Sequence, residues 1–351
     1  MTTMKTTSPI LVTGATGYVA GWIVKGLLES GATVHAAVRD PKNKEKVKYL
    51  DSIAEKAPGD IHYFESDLLR EGSYRDAMAG CELVFHTASP FTTNIEDPQR
   101  ELVDPAVNGT RNVLEQANRT ESVRRLVLTS SVAAIYGDTA DVEKTRDGRL
   151  TEEHWNETSS LEHQPYSFSK TLAEREAWSI AKAQSRWDLV VINPSLVIGP
   201  GVNPMGTSES FNLIRQLGNG TMKTGVPNFC ISVVDVRDVA QAHIQAAFRR
   251  EAKGRYIISA VDTNFPEMGR VLSQHFGNAY SFPPFTLPKW LVWLVAPMVK
   301  RSLTRRMVSR NVDHPIRCDN GKSIQELGLS YRPMKDSLVD FFQQMIDHGL
   351  V

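Results

Sequence analysis

Cysteine is scarce in this chain of 351 residues. Cys81, Cys230 and Cys318 are the only three, and they lie far apart. That excludes a disulfide framework and fits thiols kept reduced in a cytoplasmic protein. Net charge is missing too: Lys plus Arg and Asp plus Glu number 40 each, so the formal charge is zero. A bulk basic field for nucleic acid is therefore absent. The nine histidines show no ligand spacing, so no metal is expected. The opening MTTMKTTSP has no apolar core and does not read as a signal peptide. One apolar run needs weighing, WLVWLVAPMV at 290–299. It contains Pro297, is flanked by Lys289 and Lys300, and falls short of the roughly 20 apolar residues of a spanning helix. It reads first as a helix covering the core or a pocket. Peripheral membrane or subunit contact is the second reading, helped by the basic KRSLTRR at 300–306.

What is present is a large core, with 41% hydrophobic residues, enough for one unit or two lobes. Short apolar runs alternate with helical patterns. The runs are ILVT (10–13), TVHAAV (33–38), IHYF (61–64), ELVFHT (82–87), RLVLTS (125–130) and LVVIN (189–193), with helices notably over 100–119 and 166–185. This rhythm predicts an α/β fold, a doubly wound parallel sheet buried on both faces. After Pro194 glycine and proline cluster, and strands such as RYIIS (255–259) read as isolated. The expected division is a nucleotide-binding domain over 1–195 carrying the catalytic groups. Residues 196–351 would form mainly a smaller, discontinuous substrate lobe, with about 229–250 returning to the first domain.

VTGATGYVAG follows the first strand and opens the first helix. Gly14, Gly17 and Ala20 are spaced three apart. The first glycine permits a tight turn, the second lets backbone approach a pyrophosphate, and the small third residue allows close helix packing. The helix start, at Thr16, Tyr18 and Val19, then offers N–H groups to phosphate. This is a Rossmann-type dinucleotide site. NAD sites place an acid at the end of the second strand, about 20 residues on. Here Arg39 stands there, with Lys46 beyond it. A guanidinium fits a 2′-phosphate, which favours NADP (NADPH) over NAD. Asp40 tempers this, since it could serve a ribose or pair with a lysine.

The fifth strand ends in TSS, and 35 residues after Ser131 comes Tyr166 in QPYSFSK, with Lys170 four positions on. Residues four apart share a helix face. A phenol ionises near pH 10, and a neighbouring ammonium favours its ionised form. A serine hydroxyl can orient a carbonyl. A second Tyr–Lys pair, Tyr331 and Lys335, is interrupted by Pro333, which disfavours the helix that would align it.

TGATGYVAG, TSS, YSFSK and NPSLVIGPG resemble the extended short-chain dehydrogenase/reductase family. FHTASPF, PAVNGT and VDVRDVAQAH look like its dihydroflavonol reductase, cinnamoyl-CoA reductase and yeast-type carbonyl reductase branch. The resemblance implies Tyr166 as proton donor, Lys170 on the nicotinamide ribose and Ser131, rather than Ser130, polarising the carbonyl. It implies Asn108 on the central helix in a water-linked proton path, although Asn108 could merely tie helix to loop. Asp67 and Leu68 match the adenine side. Thr87, Ala88 and Ser89 match the cofactor bridge, and Pro194, Ser195 and Val197 the nicotinamide side. His86 would pack at a strand end.

The departures narrow the substrate. The segment before Tyr166 lacks the Asn-Trp-Tyr-Cys type signature of the cinnamoyl-CoA enzymes. Tyr136 replaces an Asn of the dihydroflavonol enzymes. Val132, Ala133 and Ala134 stand where sugar-nucleotide dehydratases carry an acidic pair. A pocket of Phe91, Thr92, Tyr136, Val197, Met205, Phe229 and Phe285 suits a hydrophobic or aromatic carbonyl. The expectation is NADPH-dependent reduction of an aldehyde or ketone, by a monomer or homodimer acting on a small-molecule carbonyl. An alcohol or sterol dehydrogenase, an epimerase, and a non-catalytic NADP sensor stay open as alternatives.

Overall fold

The computed structural model describes residues 7–89, 95–299 and 303–351. Strands β1 (Ile10–Thr13), β2 (Thr33–Val38), β3 (Asp60–Glu65), β4 (Leu83–His86), β5 (Arg125–Thr129) and β6 (Asp188–Pro194) follow the apolar runs of the sequence. Later come β7 (Leu196–Ile198), β8 (Val226–Pro227), β9 (Cys230–Asp235), β10 (Gly254–Ile258), β11 (Val261–Asn264) and β12 (Thr286–Leu287). The helices are α1 (Tyr18–Glu29), α2 (Lys44–Ala54), α3 (Arg75–Met78), α4 (Asp104–Arg119), α5 (Pro165–Lys182) and α6 (Glu209–Gly218). They continue with α7 (Val236–Phe248), α8 (Phe265–Phe276), α9 (Lys289–Val299), α10 (Arg305–Asn311), α11 (Gly321–Leu327) and α12 (Met334–Asp347).

Among these residues, seven strands form one sheet in the order β10-β6-β5-β4-β1-β2-β3, every neighbouring pair parallel. Strand side chains alternate between faces. Ile10 and Val12 of β1 pack with Ile23, Val24 and Leu27 of α1 and Val239 of α7. Leu11 points the other way, to Val113 and Leu114 of α4 and Ala177 of α5. Both faces are thus covered, which is why these strands read as continuous apolar runs. Strand order reverses between β1 and β4, and in open α/β sheets the ligand crevice lies outside the carboxyl ends at such a point.

RYIIS does not stand apart. Gly254–Ile258 is the edge strand of the large sheet, with Gly254 opposite Val190 and Ile258 opposite Pro194. The chain leaves through β9, which joins β7 and β11 in a smaller sheet, and returns through α7. Local sequence cannot report a pairing partner some sixty residues away, so the run looked isolated. A further cluster gathers Phe211 and Ile214 of α6, Met268 and Leu272 of α8, and Phe341 and Phe342 of α12. Among the described residues no helix is long and apolar enough to cross a membrane.

Candidate active site

Thr13 ends β1 and Gly14 turns the chain with φ +63°. A Cβ there would be strained and would lie 3.1 Å from the Cα of Ala88, so only glycine fits both the turn and the close approach to β4. Gly17 N–H donates to the Gly14 carbonyl at 2.8 Å. Gly17 then caps α1 with no side chain over its end, leaving first-turn N–H groups and the positive end of the helix dipole for an anion. The loop therefore fits a dinucleotide pyrophosphate. The Tyr18 side chain is engaged elsewhere and leaves only its backbone at this helix start. Its ring lies 5.3 Å from Phe211 and 6.0 Å from Phe341, and its hydroxyl donates to the Gly199 carbonyl. Burial raises its phenol well above the usual range. The side chain fastens the loop to the cluster of α6, α8 and α12.

Arg39 is exposed just past β2 and pairs with no carboxylate among the described residues. Asp40 is already engaged, its carboxylate accepting the Lys42 N–H at 3.0 Å. Lys46 is exposed on the first turn of α2, where its N–H meets the Asn43 side chain. Asp67 bends back to accept the Leu69 N–H at 2.8 Å. Leu68 lies on α4, against a bare face left by Gly109, and Asn112 donates to its carbonyl at 3.0 Å.

The other side of the crevice starts at β4. Thr13 Oγ1 accepts the N–H groups of Thr87 and Ala88 at 3.1 Å each and meets His86 Nδ1 at 3.0 Å. Burial first, and the Lys170 charge second, hold His86 down at about 3. It stays neutral, so Thr13 can donate its hydroxyl proton to it. Lys170 Nζ donates to Ser89 Oγ at 3.0 Å and lies 5.8 Å from the centre of the Tyr166 ring. Tyr166, in the first turn of α5, is 50% exposed. Pro165 opens that helix, and Gln164 before it holds φ +58°. A residue before proline is driven from the right-handed helical region, and the left-handed one is costly for a non-glycine residue.

The two serines after β5 differ in what they do. Ser130 Oγ donates to the buried Glu174 carboxylate at 2.5 Å. Ser131 Oγ accepts the Ala133 N–H at 3.1 Å, so its own proton is free to donate. Asn193 Nδ2 fixes the Ser131 carbonyl at 3.0 Å and Glu174 at 2.8 Å. Arg255 of β10 completes the buried group: Nε reaches Glu174 at 2.6 Å, and the remaining nitrogens meet the carbonyls of His154 and Ala134. The face of Trp155 lies 4.0 Å from its guanidinium.

Sequence reasoning missed this group, although one signal was there. Glu174 follows Tyr166 and Lys170 at the next interval of four, on the same helix stripe. A second missed group sits just before α5. Buried Asp138 accepts from His163 Nε2 at 2.9 Å, Arg310 Nε at 2.6 Å and Asn311 Nδ2 at 2.7 Å. Burial pushes the Asp138 carboxyl up, but these donors outweigh it and hold it below its usual range. The start of α5 is thereby tied to α10.

Asn108 stands on α4. It is exposed and accepts from Arg111 at 3.1 Å, while Arg111 pairs with Glu176 of α5 at 2.8 Å. That ties two helices at their surface. Pro194 ends β6, the Ser195 N–H donates to the Ile258 carbonyl at 3.0 Å, and Val197 lies in β7 opposite Val234.

Of the expected pocket, Phe91 and Thr92 lie outside the described residues. Tyr136 packs beside Cys230 and Cys318, and burial keeps its phenol protonated. Phe229 lies 5.8 Å from Phe265 and against α9 and α10. Met205 and Phe285 are more than half exposed, and Phe285 covers Gly225. No group of three or more potential ligands that could hold a metal occurs among the described residues.

The family model for the NAD dependent epimerase/dehydratase family matches residues 10–259. The cinnamoyl-CoA reductase CAD2 of Medicago truncatula is 34% identical over 343 residues, 96% of this chain and 95% of that one. An anthocyanidin reductase of Vitis vinifera, (2S)-flavan-3-ol-forming, is 36% identical over 277 residues, 76% of this chain and 80% of its own. Among solved structures, yeast methylglyoxal/isovaleraldehyde reductase Gre2 complexed with NADPH superposes with a TM-score of 0.79 at 26% identity. The match covers 98% of this chain and all of that one.

Proposed function

This chain belongs to the NAD dependent epimerase/dehydratase family, of the extended short-chain dehydrogenase/reductase type, and is an NADP-dependent oxidoreductase; on that premise we propose that it reduces a hydrophobic or aromatic aldehyde or ketone to the alcohol, with Tyr166 as proton donor. The observation that carries the reading is the half-exposed Tyr166 with Lys170 one turn on, Lys170 anchored to Ser89 just past β4. When bound, NADPH supplies a hydride from its nicotinamide ring. Ser131 donates a hydrogen bond, not its proton, to the substrate carbonyl oxygen and fixes its direction. Tyr166 protonates the same oxygen as charge develops on it, and the Lys170 ammonium stabilises the phenolate left behind.

The chain's residues fit the rest of the cofactor in the same way. The first turn of α1 would hold the pyrophosphate, and Arg39 with Lys46 would hold the 2′-phosphate. Tyr136, Phe229 and the small lobe close over an apolar substrate. Arg39→Ala should raise the KM for NADPH by about 10- to 100-fold, the worth of a charge-assisted contact, and leave NADH nearly unchanged. Equal losses for both cofactors would remove Arg39 from the phosphate. The substrate reading is tested by NADPH oxidation against a panel of aryl and branched aldehydes and ketones. Turnover of several is expected. Turnover of a UDP- or dTDP-sugar with none of the simple carbonyls would overturn it.

A further inference from the structure

Helix α9 buries one face and leaves the opposite one bare. Val292 and Ala296, four apart, pack against Val308 of α10 and Val312 just past its end. Trp290, Leu294 and Met298, also four apart, form the opposite stripe. Trp290 is 69% exposed, Met298 82% and Val299 74%. Single exposed apolar residues need no explanation, but a contiguous stripe of large ones marks an interaction surface.

The charges around the stripe say what it meets. From Phe285 to Val312 the sequence has no Asp or Glu, but carries Lys289, Lys300, Arg301, Arg305, Arg306 and Arg310. Two of these are used internally: Lys289 donates to the carbonyls of Ser309 and Val312, and Arg310 pairs with Asp138 and Asp141. Arg305 and Arg306 are exposed. Arg305 lies over the Trp293 ring at 4.6 Å, and neither pairs with a carboxylate among the described residues. In a chain of zero net charge, an uncompensated cationic rim stands beside a bare apolar stripe bearing Trp.

We propose that α9 and the start of α10 form a peripheral docking surface for an anionic lipid bilayer. The helix has 11 residues, about 16 Å, so it would lie in the headgroup plane rather than span. Its Trp and Met side chains enter the acyl boundary, and Arg305 and Arg306 meet phosphate and carboxylate headgroups. A second copy of the chain fits less well, because it would set this cationic segment against another that has no carboxylate to answer it. Since the inner face of α9 rests on Phe229, docking would bring the substrate lobe to the membrane surface.

The test is co-sedimentation of the full chain with vesicles of phosphatidylcholine plus phosphatidylserine and with vesicles of phosphatidylcholine alone. The wild type should partition onto the anionic vesicles and far less onto the neutral ones. Trp290→Ser with Met298→Ser, and separately Arg305→Glu with Arg306→Glu, should each lower that partition by about tenfold with an unchanged circular dichroism spectrum. If the first variant does not fold, the arginine variant, altered only at exposed positions, carries the test. Three results would overturn the proposal: no partition, equal partition onto both vesicles, or a wild-type dimer that the same substitutions dissociate without any vesicle binding.

Discussion

Tyr166→Phe is expected to lower turnover by about 10²–10⁴-fold or more, the usual worth of a positioned general acid. The substitution removes one hydroxyl from a half-exposed ring, and it is the Tyr166 backbone carbonyl, not the phenol, that accepts from Ser169 at 2.7 Å. Folding and NADPH binding should therefore survive. Lys170→Ala should lose comparable activity and also weaken NADPH, because its ammonium bridges the tyrosine and Ser89. Tyr331→Phe is the control. Tyr331 lies before α12, which starts only after Pro333, and its hydroxyl is engaged with Ser323 at 2.7 Å. The two members of this second pair do not share a helix, so kcat should be nearly unchanged. Near-normal turnover in Tyr166→Phe, with an intact circular dichroism spectrum, would sink the assignment and favour a cofactor-binding protein without chemistry.

The second large effect is on stability. Arg255→Met should cost about 3–5 kcal/mol, because it leaves the Glu174 carboxylate buried without its cation. Glu174 is fully buried and Arg255 nearly so, so solvent cannot replace the lost partner. Small domains are stable by only about 5–15 kcal/mol, so the urea midpoint should fall sharply. Arg255→Met together with Glu174→Met should cost less than the sum of the single changes, since removing both charges leaves no orphan. The same pair holds Asn193 and Ser130 behind the catalytic loop, so kcat should fall even in molecules that remain folded. An unchanged midpoint in Arg255→Met would show that the pair contributes nothing.

Much of this was legible in the sequence, for physical reasons that can be named. Strands buried on two faces are apolar along nearly their whole length, so ILVT and LVVIN could be read directly. Gly14 announced a positive φ, and the interval from Tyr166 to Lys170 announced a shared helix face. What stayed hidden was non-local. Arg255 and Glu174 lie 81 positions apart, and nothing near either one names the other. RYIIS reads as a strand in any sheet, since its partner β6 is set by the return of α7. Asn108 sits on a helix with polar residues on several sides, so its sequence position did not say that it faces Arg111 and solvent. Tyr18 stands at the end of the glycine loop, yet its ring packs against Phe211 and Phe341, a division between backbone and side chain that spacing cannot express.

The central claim is that this chain moves a hydride from NADPH to a carbonyl carbon, and isotope transfer tests it most directly. Purified protein is supplied with NADPH carrying deuterium at the transferable position of nicotinamide C4 and with a carbonyl compound that it turns over. The alcohol is then examined by mass spectrometry and NMR. One deuterium on the carbinol carbon, of a single stereochemical sense, is expected. An alcohol without deuterium there, or deuterium lost to solvent, would contradict the claim.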